Sequence, residues 1–200
     1  MHVINTAAPE KWFYSDAEFN ALYPPSIQAL AKCHWTPLHI AVKAAKFLAG
    51  DGNVRILDIG SGVGKFCLAA AFYTPNAFYY GVEQRKSLVD IAEAAKKCLQ
   101  LENVFFMQGN FTQLDFHKYD HFYFYNAFYE NLNGTDKIDD SINYSGELYN
   151  YYNRYLFRQL QEKPKGTRIC TLCSLEYEIP PDFHVVKTEM NDLLKFWIKV

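Results

Sequence analysis

Two hundred residues, half of them hydrophobic and 21% charged, supply one well-buried core and exclude wholesale disorder. The formal net charge of −2 lacks the basic excess of a dedicated nucleic-acid binder, so nucleic acid is not expected as a partner. Five cysteines, an odd number, read as free thiols of a reducing compartment. With no signal-like N-terminus and no apolar run near the roughly 18–20 residues of a membrane helix, a cytoplasmic protein without a membrane span is expected.

The first fifty residues read as a helical cap, with a larger domain expected over 51–200. A helical stretch from Asp16 stops at Pro24-Pro25, and a second runs from Ser26 through Ala31. Thr36 and Pro37 then fit an N-cap and a first helical position for a helix through Ala49. Gly50-Asp-Gly52 ends it.

Beyond residue 50 the pattern alternates. Strands are predicted at 54–58, 77–82, 104–107, 121–125 and 167–173, and helices at about 63–72, 86–101 and 146–161. Two more strands, 184–188 and 194–200, close the chain without a helix between them. The fold class is therefore α/β: a Rossmann-like, seven-stranded, mostly parallel sheet with a reversed strand at its edge, plus the N-terminal helical segment.

The informative string is Ile56-Leu-Asp-Ile-Gly-Ser-Gly-Val-Gly-Lys65, between a strand and a helix. A phosphate-binding P-loop is rejected, because Phe66 stands where a hydroxyl must ligate magnesium. A dinucleotide fingerprint fits poorly: the third glycine, Gly64, comes one residue early, and Asp58 ends the strand on the pyrophosphate side. S-adenosylmethionine suits the string better. It has no pyrophosphate, and its sulfonium and ammonium tolerate an acidic strand end. Gly60, Ser61, Gly62 and Gly64 let backbone approach the methionine part. Glu83, ending the next strand, is placed to accept both ribose hydroxyls. Asn110 and Phe111, after the third strand, are candidates for the adenine.

These residues resemble the class I S-adenosylmethionine-dependent methyltransferases over roughly residues 36–200. Asp58, Gly60, Gly62 and Gly64 match that family's first motif, and Glu83 its second. The order Asp58 to Gly64, Gly81-Val-Glu, Gly109-Asn-Phe and Tyr125-Asn-Ala-Phe is also similar to the non-SET lysine methyltransferases (the disruptor-of-telomeric-silencing type). The run Tyr125 to Asn131 is similar to the Asn-Pro-Pro-Tyr/Phe loop of amine methyltransferases, with Ala127 and Phe128 in place of the prolines.

That resemblance implies in-line methyl transfer to an amine nitrogen, protein lysine included. Asn126 would accept from the target nitrogen, and Tyr129 would help form an aromatic wall. The segment before the core, with Trp35 and Thr36, would cover the cofactor, Thr36 reaching the methionine carboxylate. Two alternatives stay open: an oxygen acceptor on a small molecule with Glu130 as base, and a non-catalytic module that keeps the fold. Cys170 and Cys173 have zinc-like spacing but no second ligand pair, so no metal is expected. Residues 136–140 read as a mobile solvated loop.

Overall fold

The computed structural model describes residues 9–200. A 3₁₀ turn, Pro9–Phe13, leads into three short helices: α1 (Asp16–Asn20), α2 (Pro25–Gln28) and α3 (Ala31–His34). Then come α4 (Leu38–Ala49), β1 (Arg55–Ile59), α5 (Lys65–Tyr73), β2 (Phe78–Glu83), α6 (Lys86–Leu99), β3 (Val104–Gln108) and β4 (His121–Tyr125). The chain finishes with α7 (Gly146–Gln161), β5 (Arg168–Leu172), β6 (Phe183–Glu189) and β7 (Leu194–Lys199).

The seven strands form one sheet in the order β3-β2-β1-β4-β5-β7-β6. Strands β1 to β5 pair in parallel, and β7 runs antiparallel between β5 and the edge strand β6. This is the expected Rossmann-like sheet with its reversed closing hairpin. Each sheet face carries its own buried layer. Ile56 packs toward α4, α5 and the N-terminal segment, while Leu57 and Ile59 pack toward α7 and the turns after β3. The two-residue period of a strand enforces that split. The chain builds outward from β1 through β2 to β3, then crosses back to place β4 on the other side of β1. Ligands bind at the strand ends beside such a reversal.

Three local expectations fail for identifiable reasons. Helix α5 starts at Lys65 rather than Val63, because Gly62 and Gly64 hold φ of 52° and 79°, outside helical space. The helix expected over 26–31 is two single turns, α2 and α3. Thr36 is not the cap of α4. Pro37 occupies that position, Asp16 Oδ1 accepts from the Leu38 N–H at 3.0 Å, and Thr36 Oγ1 bonds the Tyr123 hydroxyl at 2.8 Å.

Gly64 settles how closely α5 approaches the sheet. A Cβ there would lie 2.3 Å from Phe106 Cζ and 3.1 Å from Ala92 Cβ. Gly64→Ala combines that clash with a left-handed φ, a loss of about 2–4 kcal/mol. A thermal melt should show Tm lower by about 5–15 °C; an unchanged Tm would refute this packing role.

Candidate active site

A cavity of about 370 Å³ opens at the carboxyl ends of β1, β2 and β4. Gly60 and Gly62 lie on one side, Glu83 and Gln84 on another, and Asn126 to Asn131 on a third. Leu30, Cys33 and Trp35 of the N-terminal segment and Thr135, Asp136 and Ile138 of the loop after β4 complete the wall. A smaller cavity of about 30 Å³ adjoins it, bordered by Thr36, Asp58, Ser61, Lys65 and Tyr123.

The glycine turn closes onto β2. Gly62 N–H donates to Glu83 Oε2 at 3.2 Å, and Gly60 and Ser61 N–H both donate to Val82 O at 3.0 Å. A Cβ at Gly62 would meet no protein atom within 4 Å, whereas one at Gly60 would press on Ala127 Cβ at 3.2 Å. The free space beside the turn is thus at Gly62. Gly64 borders neither cavity. Its expected cofactor role gives way to helix packing.

Glu83 is buried at the cavity floor. Its Oε1 accepts from the Arg85 backbone N–H at 2.9 Å and from Arg85 Nη1 at 3.3 Å. Asn110 was expected to face an adenine. Instead its Oδ1 caps the Thr112 N–H, and its Nδ2 donates to Tyr152 and Gln84. These bonds leave its amide engaged, and Asn110 does not border the larger cavity. Phe111 does border that cavity, stacked on Phe128 with ring centroids 5.0 Å apart.

Asn126 adopts φ of 49° in the turn after β4, and its Oδ1 is buried with no hydrogen-bond partner. The Asn131 Oδ1 and the Ser61 Oγ are orphaned in the same way. A buried acceptor without a donor costs about 1–3 kcal/mol, a penalty that a donor from a ligand or water would relieve. Tyr129 lines the cavity and stands edge-on to Tyr149 at 6.1 Å.

Glu130 does not sit free as a base. Its Oε2 accepts from Arg85 Nη2 at 2.6 Å, the Tyr144 hydroxyl at 3.0 Å and the Ile138 N–H at 3.1 Å. The loop expected to be mobile over 136–140 is pinned by the same guanidinium, with Arg85 Nε donating to Asp139 Oδ1 at 3.1 Å. Burial disfavours the charge on Arg85, but Glu130 and Glu83 outweigh it and hold its pKa above the ordinary value. Sequence reasoning missed Arg85. The available signal was a cation at a helix N-cap, where the helix dipole disfavours it unless carboxylates compensate.

The N-terminal segment is fastened to the turn. Tyr23 donates to Val63 O at 3.1 Å, Lys65 Nζ reaches Asp16 and Asn20 at 2.5 and 2.9 Å, and Tyr125 donates to Cys33 O at 3.1 Å.

A family model described as "Methyltransferase domain" matches residues 50–197. The chain belongs to this methyltransferase domain family. Solved structures agree on the fold. An RNA methyltransferase from Salinibacter ruber in complex with S-adenosyl-L-homocysteine is 21% identical, with TM-score 0.56, covering 82% of this chain and 93% of that one. TrmN from Thermus thermophilus is 17% identical, with TM-score 0.56, covering 82% of this chain and 52% of that one. A tRNA (guanine-N(7)-)-methyltransferase from Synechococcus sp. (strain JA-3-3Ab) is 46% identical over 59 residues, 30% of this chain. The match takes in 25% of that relative's length. Among the described residues, no helix of this methyltransferase domain is long and apolar enough to cross a membrane.

The cofactor of such a domain is S-adenosylmethionine, and the residues present fit it. Gly62 leaves room where a side chain would intrude, Glu83 offers a buried carboxylate for a diol, and Asp58 and Ser61 border the small polar cavity beside them.

Asp58 carries its own pH dependence. Burial, and secondarily the Glu83 charge, push its carboxyl up to about 8 despite a hydrogen bond from the Cys67 thiol. Between about pH 4 and 8 the folded chain holds a proton that the unfolded chain has released, so this contribution to stability falls as pH rises. Each unit removes at most about 1.4 kcal/mol, or about 3–6 °C of Tm. Burial lowers His121 to about 4, which gives the opposite slope, but it is common to wild type and variant. The Tm of wild type minus that of Asp58→Asn should therefore decline from pH 5 to 8; a constant difference would contradict the assignment.

Proposed function

We propose that this domain transfers a methyl group from S-adenosylmethionine to a nitrogen that bears at least one N–H, with Asn126 holding that nitrogen. The single observation that carries the reading is Asn126 at the carboxyl end of β4: the residue lines the cavity that Gly62 and Glu83 also line, and its Oδ1 has no hydrogen-bond partner.

The bound cofactor supplies an electrophilic methyl group on a positively charged sulfur. The chain's own task is alignment and exclusion of water. Gly60 and Gly62 keep the turn free of side chains. Glu83 would hold the ribose, and Phe111 would pack against the base. Asp58, Ser61 and Thr36, around the smaller cavity, would serve the methionine end. Asn126 Oδ1 accepts from the target N–H, which orients the nitrogen and leaves its lone pair directed away from the amide. Trp35 and Tyr129 close the apolar sides of the cavity.

Charge supports an amine. The ionisable carboxylates and guanidinium on the larger cavity are Glu83, Glu130 and Asp136 against Arg85, a net negative lining. An amine that arrives as a cationic alkylammonium, protein lysine included, is drawn toward it, the tyrosine faces add about 0.5–2 kcal/mol of cation–π attraction, and one N–H proton leaves to solvent before the neutral amine's lone pair attacks. Glu130 serves the loop through Arg85, Tyr144 and Ile138, which weighs against the oxygen acceptor with Glu130 as its base.

RNA is the second reading. The tRNA and RNA methyltransferases among the similar proteins leave the expectation against nucleic acid, drawn from net charge alone, without support. A phosphate backbone would meet the acidic lining, and an unprotonated ring nitrogen would give Asn126 Oδ1 no N–H. An exocyclic amino group on RNA would satisfy Asn126, whereas the N7 ring nitrogen in the Synechococcus relative's name would not.

Two measurements test these assignments. Calorimetric titration with S-adenosylhomocysteine should show one site per chain, weakened at least about 100-fold by Gly62→Arg, whose side chain fills the free space. Absence of binding at millimolar ligand would end the cofactor reading. Labelled methyl transfer into protein, RNA and small-molecule fractions of a cell extract should then identify the acceptor. Asn126→Ala should cut the transfer rate about 100-fold while S-adenosylhomocysteine affinity stays within a few-fold. Full activity in that variant would remove Asn126 from the mechanism.

A further inference from the structure

One guanidinium joins two walls of the cavity. The Arg85 side chain is 4% exposed and has four acceptors. Three belong to the segment after β4: Glu130 Oε2 and the Tyr144 hydroxyl, each 2.6 Å from Nη2, and Asp139 Oδ1, 3.1 Å from Nε. The fourth is Glu83 Oε1 at 3.3 Å from Nη1, at the end of β2. The single Tyr144 O–H proton has two acceptors in reach, Asp139 O at 2.6 Å and Glu130 Oε2 at 3.0 Å, and Ser141 folds back on Asp139 Oδ1. Segment 130–144 is therefore one bonded unit around Arg85.

A count of acceptor positions on Glu83 gives this arrangement a direction. A carboxylate offers about four lone-pair sites. Three are filled: Oε1 by the Arg85 backbone N–H at 2.9 Å and Nη1 at 3.3 Å, and Oε2 by the Gly62 N–H at 3.2 Å. A ribose diol needs two. One present donor must leave, and the two backbone donors are fixed by the glycine turn and the start of α6. The Nη1 contact is the longest of the three and the only one made by a side chain.

We propose that Arg85 is a positioning residue: Glu83 releases Nη1 when it takes the diol, and the freed N–H turns to the carboxylates of segment 130–144, tightening that wall on the acceptor side. Occupancy of the cofactor half of the cavity thus sets the wall of the acceptor half, as a coupling between two sites. The inference rests on the reading of Glu83 as the ribose carboxylate.

Hydrogen exchange on the full chain, with and without saturating S-adenosylhomocysteine, tests it. In the wild type the ligand should slow exchange of amides 138–144 about tenfold. Arg85→Gln should abolish that slowing while calorimetry still shows the ligand bound. Arg85→Lys, which keeps the charge but lacks the fork, should lose most of it. A purely structural arginine would alter exchange equally with and without ligand. If slowing at 138–144 persists in Arg85→Gln, or is missing from a wild type that binds, the proposal is wrong. Should Arg85→Gln lose protection in β1 and β4, the double variant Glu130→Gln/Asp139→Asn decides instead, because it leaves the Glu83 contact and removes both carboxylates that face Arg85 from the loop side. It should lose the ligand-induced slowing with β1 and β4 unchanged, and retained slowing overturns the proposal. A wild type that binds no S-adenosylhomocysteine defeats the cofactor reading itself, and this inference with it.

Discussion

The hydrogen bond from Gly62 N–H to Glu83 Oε2 joins the ends of β1 and β2 across the site, and the other features are arranged around it. For the turn to reach the carboxylate, residues 60, 62 and 64 must all take positive φ. Each glycine then does something different with its missing side chain. Gly60 admits Ala127 of the β4 turn, Gly62 leaves the cavity open, and Gly64 lets Phe106 and Ala92 approach. Gly81 on β2 makes matching room for Ser61, since a Cβ there would lie 2.7 Å from Ser61 Oγ. Backbone freedom at one turn is thereby converted into a fixed distance between two strands, and that distance defines the cofactor side of the cavity.

Charge inside the site is distributed by desolvation as much as by pairing. Asp58 is buried with only a weak thiol donor, and low polarity pushes it toward its neutral form. Glu83 lies in the same region yet accepts three N–H donors, two of them from backbone. Two carboxylates near the carboxyl ends of adjacent strands thus meet different surroundings, a donor-poor one and a donor-rich one. Arg85 extends the donor-rich side outward to Glu130 and Asp139. The stretch of irregular chain between β4 and α7 thereby gains an anchor that its own sequence lacks.

Most of the fold was legible because its signals are local. Strand periodicity, the glycine spacing and the acidic ends of β1 and β2 are read within a few residues of one another, and the sheet follows from their alternation. What escaped depends on partners distant in sequence. Asn110 looked available until Tyr152, 42 residues on, took its amide. Thr36 looked like a cap, but Tyr123 and Asp16 supply the bonds that decide its role. Glu130 and residues 136–140 looked solvated because Arg85, some fifty residues earlier, is invisible to a local reading of that loop. Asn126 was legible as a candidate. Its orphaned Oδ1 was not, because an unmet hydrogen bond belongs to the folded surroundings rather than to the residue.

The N-terminal segment shows how far the site extends beyond the matched family region, which starts at residue 50. Phe13, Phe19, Tyr23 and Trp35 belong to the same buried cluster as α4 and α5, so no layer of solvent separates them from the domain. Phe13 stacks on Phe72 at 3.8 Å, and the Lys65 ammonium, at the first residue of α5, is buried between Asp16, Asn20 and the rings of Phe19 and Trp35. Burial lowers the pKa of Lys65, opposed by Asp16, so removing that carboxylate would leave an ammonium in apolar surroundings at the foot of the glycine turn. Tyr23 holds Val63 O from the same side, and Trp35 faces both cavities. The segment therefore cannot be lifted from the site without exposing the start of α5. Any opening needed to admit a ligand falls more readily to the rim at Leu30 and Cys33, which one bond from Tyr125 fastens, or to the segment that Arg85 gathers on the other side.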